Sequence, residues 1–177
     1  MKNLFDALRV KEVKGRIAQL RPDSQRQWGV MAPAQALAHC SSGIQIALGD
    51  IKPRRKLIGI AIGWAIKPLA LRDDEPLRGN SPTVDDLVIQ DDRNLVAEEE
   101  HLSVYRPVRE SGPKSCTTHP HSFFGRLTPQ EWAVHMYKHL DHHLRQFGVW
   151  LRYEFGLTAE SRRRSTRMGN RLARLCR

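Results

Sequence analysis

Apolar residues recur along the chain at helical spacing, and the recurrence divides it into elements. In residues 6–20, Leu8, Val10, Val13, Ile17 and Leu20 return at roughly one-turn intervals, Asp6 stands where a cap is needed, and Pro22 follows the end. A second helix is expected from Pro33 to Leu48. Pro33 suits a first turn, whereas Ala32 is a poor cap. Leu37, Ile44 and Leu48 define one face of it, and His39 lies on a second stripe with Gln35, Ser42, Gly43 and Ile46, so this helix reads as a central one packed on two sides. Gly49, Asp50 and Pro53 break the chain, and RRKLIGIAIGWAIKPLAL (residues 54–71) then reads as a short apolar helix with basic residues at its start. A buried connector is the preferred reading of that segment; an oligomer contact and a membrane-surface role are the alternatives. Residues 72–86, with Pro76, Gly79 and Pro82, read as loop, and Leu87–Ile89 as a short extended stretch. Residues 91–106 predict another helix, with Asp91 and Asp92 at its start, Leu95, Leu102 and Tyr105 on a thin apolar face, and Pro107 at its end.

The most informative stretch is TPQEWAVHMYKHLDHHLRQFG, residues 128–148. Thr128 and Glu131 have the spacing of a capping box, Pro129 fits the first turn, and Gly148 is a common stop. On a wheel of about 100° per residue centred on Leu140, an apolar arc contains Ala133, Met136, Tyr137, Leu144 and Phe147. His143 falls at its margin, His139 just beyond near Trp132, and His135 and His142 well outside. His139 and His143 are thus the pair that can face a core together. Spacing of i,i+4 puts two imidazoles one turn apart on one side, as two cis ligands of a divalent metal require. Gln146, three residues after His143, is placed to orient a ligand. A helix with surface histidines and one buried, hydrogen-bonded histidine explains the same spacing equally well, and a third ligand must come from elsewhere.

Composition changes this picture little. Hydrophobic residues make up 40% and charged residues 27% of 177, as in one soluble globular domain. The beginning, MKNLFDALRV, is too polar to read as a signal peptide, and the run from Leu57 to Ile66 is too short to span a bilayer. Cys40, Cys116 and Cys176 are odd in number and form no CxxC, so a reducing cytoplasm is the expected location. The net charge of +10 is uneven: residues 151–177 hold eight Arg and two Glu, a net +6. The expected organisation is a helical domain over 1–150 and a basic, solvated extension over 151–177. Arg162, Arg163, Arg164 and Arg167 are weak candidates for contact with nucleic acid or acidic lipid, without an aromatic platform for bases among them.

The remaining candidates carry plainer readings. Alone, His39 reads as a hydrogen-bonded structural histidine. His119 and His121 flank Pro120 ahead of Phe123 and Phe124. They read as loop residues packed by those rings, with substrate binding or proton transfer as the alternative. Cys40 reads as a small core residue, and Asp141 as a residue of the outer side of its helix.

With His39 and the His139–His143 pair placed, the pattern resembles the DinB/YfiT-like superfamily of metalloenzymes, and within it the DUF1569 family. The segments that carry the resemblance are LRPDSQRQWGVMAPAQALAHC, HPHSFFGRLTPQEW and YKHLDHHLRQFGV, within residues 1–149. The resemblance implies an all-α four-helix bundle with a long crossover and, here, a short extra apolar helix. It implies His39, His139 and His143 as ligands of a divalent metal. Nitrogen-only ligands suit Zn²⁺, Ni²⁺ or Fe²⁺ without choosing among them. By analogy with the wider superfamily it also implies thiol transfer involving a low-molecular-weight thiol, or hydrolysis, on a small-molecule substrate. The alternative is a non-catalytic bundle acting as an interaction protein, dimerising through residues 57–66, with nucleic-acid contact through the arginine-rich tail.

Overall fold

The computed structural model describes residues 1–72, 76–79, 87–103 and 112–150. The tail after Trp150, with Arg162, Arg163, Arg164 and Arg167, lies outside the described residues, as do parts of the loop after Arg72 and the end expected for the fourth helix. Among the described residues the protein is all-α: α1 (Ala7–Ile17), α2 (Pro33–Leu48), α3 (Leu57–Ala70), α4 (Leu95–Ser103) and α5 (Pro129–Gln146), with a 3-10 turn at Gly112–Ser115 and one isolated bridge between His121 and Gly125.

Local chemistry sets the boundaries. Asp6 accepts from the Leu8 amide and starts α1. Thr128 and Glu131 cap α5 reciprocally, with the Thr128 oxygen on the Glu131 amide and the Glu131 carboxylate on the Thr128 amide. Ala32 supplies no side-chain cap to α2, but Gln35 reaches back to the Ala32 amide. Helix α4 starts later than the sequence suggests. Asn94, rather than Asp91 or Asp92, accepts from the Ala97 amide, while Asp91 pairs with Arg93. Leu87 forms no strand with its neighbours. Gly148, at φ +70°, turns the chain out of α5 while the Val149 amide returns to the Leu144 carbonyl.

Helix α5 is the centre. It packs on α1 and α2, and α2 packs on α4. From Glu131 to Phe147 no residue of it is exposed. The wheel leads one to expect a single buried arc; the structure covers the other sides with chain between helices. The Leu4 amide bonds the Ala133 carbonyl, the Gln27 amide bonds the Gln146 carbonyl, Lys138 donates to the Arg72 carbonyl, and the 121–125 turn lies over His135. Asp141 corrects the expectation of an outer residue. It is 6% exposed and accepts from Arg16 at 2.7 Å and from Arg145 at 2.7 Å. Arg16, 2% exposed, also donates to the Val149 carbonyl and to Glu12.

Helix α3 corrects a second expectation. It is no buried connector: within it only Gly59 and Gly63 are buried, and its large apolar side chains face outward. The two glycines lie on the backbone of Phe123. A Cβ at Gly59 would stand 2.6 Å from the Phe123 Cα, so only glycine permits the approach.

Removing one member of a buried ion pair strands the other. Asp141→Ala should lower unfolding free energy by about 2–3 kcal/mol in urea denaturation, because Arg16 keeps its charge in a buried site with only the longer pairing to Glu12 and the Val149 carbonyl left to it. A loss under about 1 kcal/mol would show that the pair contributes no more than a surface one.

Candidate metal centre

Three helical positions supply the centre: His39 from α2, and His139 and His143 one turn apart on α5. One ligand atom from each lies within 4.8 Å of the others. The rings meet edge to face, His39 on His139 at 4.7 Å and on His143 at 4.8 Å between centroids. Close approach of α2 to α5 is made at Gly43, where a Cβ would stand 2.7 Å from His139 Nδ1. Any side chain there would displace the His139 ring.

Hydrogen bonds to oxygen acceptors fix the tautomers. His39 Nδ1 lies 2.8 Å from the Leu87 carbonyl, which can only accept, so Nδ1 carries the proton and Nε2 keeps its lone pair. That Nε2 stands 2.8 Å from His139 Nε2. The His143 tautomer is set at one remove. Gln146 Nε2 donates to the Trp28 carbonyl, which orients the carboxamide and leaves Gln146 Oε1 facing His143 Nδ1 at 2.8 Å. His143 is therefore also protonated at Nδ1, with its Nε2 lone pair available. His142 Nδ1 donates to the Leu77 carbonyl, and its ring rests on Trp28 and His143.

Burial holds these imidazoles neutral. It lowers the pKa of His39 and takes that of His139 well down, where neighbouring histidines add to the effect. His143 falls to about 3, chiefly by burial and then by His39, with the bond to Gln146 opposing. Neutral imidazoles with inward lone pairs are what a divalent cation requires, so the donor set fits a metal.

Gln146 stands where the sequence places it, against His143. His119 and His121 do not join the centre. His119 Nε2 lies 3.3 Å from the Pro53 carbonyl. His121 stacks on Phe124 at 4.8 Å and accepts at Nδ1 from the Phe123 and Phe124 amides, the packed-loop role expected of it. Burial pushes its pKa far down. His135 lies between, edge to face with His121 at 4.9 Å and stacked on His139 at 6.1 Å. Helical periodicity alone places it outside the core, because the loop that covers it has no helical period. Cys40 is a buried thiol whose pKa burial raises, consistent with a core residue.

A family model for proteins of unknown function, DUF1569, matches residues 4–149, and the chain belongs to that family. The match ends before the arginine-rich tail. No curated protein and no solved structure matches the chain.

His135 gives the metal-free protein a predicted pH dependence. Burial first, and then Lys138, lowers its pKa to about 4. An unfolded histidine titrates near 6.5, so between about pH 6.5 and 4 the unfolded chain binds more protons and stability falls with pH. By about pH 5 the loss from this one group is ~2 kcal/mol relative to neutral pH. Urea midpoints of the metal-free protein should drop from pH 7 to pH 5, and less steeply in His135→Asn. An equal slope in that variant would show that His135 is solvated.

Proposed function

We propose that the protein binds a divalent metal through His39, His139 and His143 and uses the remaining coordination positions to act on a small molecule. The observation that carries this reading is the convergence of three neutral imidazoles, His39 and His143 buried and His139 half-buried, two of them with tautomers set by carbonyl and carboxamide oxygens so that Nε2 carries the lone pair. Structural histidines need only one satisfied nitrogen each. His139 with its proton on Nε2 donates to the His39 Nε2 lone pair at 2.8 Å, and a cation among the three rings would take the place of that proton. The architecture assigned with this reading is a DinB-like four-helix bundle of α1, α2, α4 and α5 with a long crossover between α2 and α4.

A cation held by three neutral nitrogens supplies Lewis acidity toward water or a thiol. Zn²⁺, Ni²⁺ and Fe²⁺ all suit the donor set. The chain's own groups define the rest. Leu87 and Gln146 hold the ligand rings in place, Trp28 and His142 wall one side, and burial excludes a proton from competing for the ligand nitrogens near neutral pH. This supports transfer of a low-molecular-weight thiol, or hydrolysis, as the reaction classes. No side chain is assigned as a catalytic residue.

Elemental analysis of the purified full-length protein should find about one divalent metal per chain, lost in the His139→Ala/His143→Ala double variant. Full retention in that variant overturns the site. Gln146→Leu tests the positioning argument separately: it keeps all three ligands but frees the His143 tautomer, and should weaken metal affinity by roughly ten- to a hundredfold in a chelator competition.

A further inference from the structure

Helix α3 is covered on one side only. Gly59 and Gly63 lie on the 121–125 turn, while Leu57 is 85%, Ile58 62%, Trp64 74% and Leu69 56% exposed. No polar side chain occurs from Leu57 to Ile66, so the helix has no face suited to water. An amphipathic surface helix normally turns its apolar side inward and its charges outward; here the small residues face the protein and the large apolar ones face out.

The charges sit at the two ends. Residues 52–72 contain six Lys and Arg and no Asp or Glu. Lys52, Arg54, Arg55 and Lys56 precede the first turn, which has no acidic residue, although the N-terminal end of a helix dipole favours anions. Lys67 and Arg72 mark the other end, where Lys67 reaches Glu131 and the Arg126 carbonyl. The basic cluster before the first turn, beside an apolar face, is complementary to a surface that is apolar within and anionic at its edge; at the other end Lys67 is paired with Glu131, and Asp73, Asp74 and Glu75 follow Arg72 in the sequence.

We propose that α3 docks the protein on an anionic lipid surface, lying in the interfacial plane with Leu57, Ile58 and Trp64 among the acyl chains and the exposed Lys52 and Arg54 on headgroup phosphates. Its length argues for lying rather than crossing. Fourteen residues span about 21 Å, short of a hydrocarbon core of about 30 Å, and no described helix is long and apolar enough to cross a membrane. Trp64 has the amphipathic ring that favours the headgroup boundary. The inference stands independently of the metal centre, which α3 does not touch.

The test uses the full-length protein and sedimentation with vesicles of phosphatidylcholine alone or with about 30% phosphatidylglycerol, at low and at about 0.5 M salt. The expected result is binding to the anionic vesicles, weakened by salt, with a blue shift of emission that Trp64→Phe removes without abolishing binding. Leu57→Glu/Trp64→Glu changes two exposed side chains and should cut partitioning about tenfold or more. Should that variant lose its helical circular dichroism, Lys52→Glu/Arg54→Glu, outside the helix, carries the test and should also weaken binding. Wild-type protein that ignores phosphatidylglycerol overturns the proposal. So does undiminished binding by the folded α3 variant, which would assign lipid contact to the arginine-rich tail. An α3-dependent dimer in sedimentation equilibrium, with no lipid binding, would identify a second copy as the occupant instead.

Discussion

The structure depends on the covering of α5 on every side from Glu131 onward. A helix that passes through the middle of a small domain has little surface left for solvent, so most polar groups on it must find a protein partner or stay neutral. Asp141 meets this demand by ion pairing with Arg16 and Arg145, and Lys138 by donating to a carbonyl before the loop. The histidines meet it by losing their charge. The three-histidine cluster is the place where this demand is met collectively, because His39 enters from α2 to join two of them.

This arrangement explains why the covering chain matters as much as the helices. The segment before α2 carries Trp28, whose ring covers His142 and whose carbonyl orients Gln146. The segment around Leu87 closes over His39, and the 121–125 turn covers His135. These irregular stretches cover the sides of α5 that the other helices leave open. They also place α3, whose glycines settle on the turn that covers His135.

Much of this was legible in the chain, for a local reason. The caps of α5, the start of α2 and the i,i+4 pair all depend on residues within one or two turns, and the structure has them where spacing puts them. His39 was a different matter. It lies a hundred residues from His139, and its own helix offered only a second stripe as a hint; the resemblance to a family, not periodicity, singled it out. The role of Gln146 was half visible, its reach to His143 following from spacing and its anchor on Trp28 from the fold alone. The burial of Asp141, His135 and His142 was misread because the stretches that cover them carry no period to detect. For α3, apolar composition suggested burial, but the helix meets the protein through two glycines, whose small size limits how much of it the neighbouring turn can cover.

The protonation state of the centre is inherited from the main chain. Leu87 sets His39 through its carbonyl, and Trp28, through Gln146, sets His143 in the same way. No substitution at Leu87 or Trp28 deletes a carbonyl, so drift in those side chains leaves the tautomers intact as long as the backbone path is kept. A change in the number of residues would not be so forgiving, since it would slide the carbonyl off its partner. Across relatives, the links before α2 and before α4 should therefore vary more freely in identity than in length.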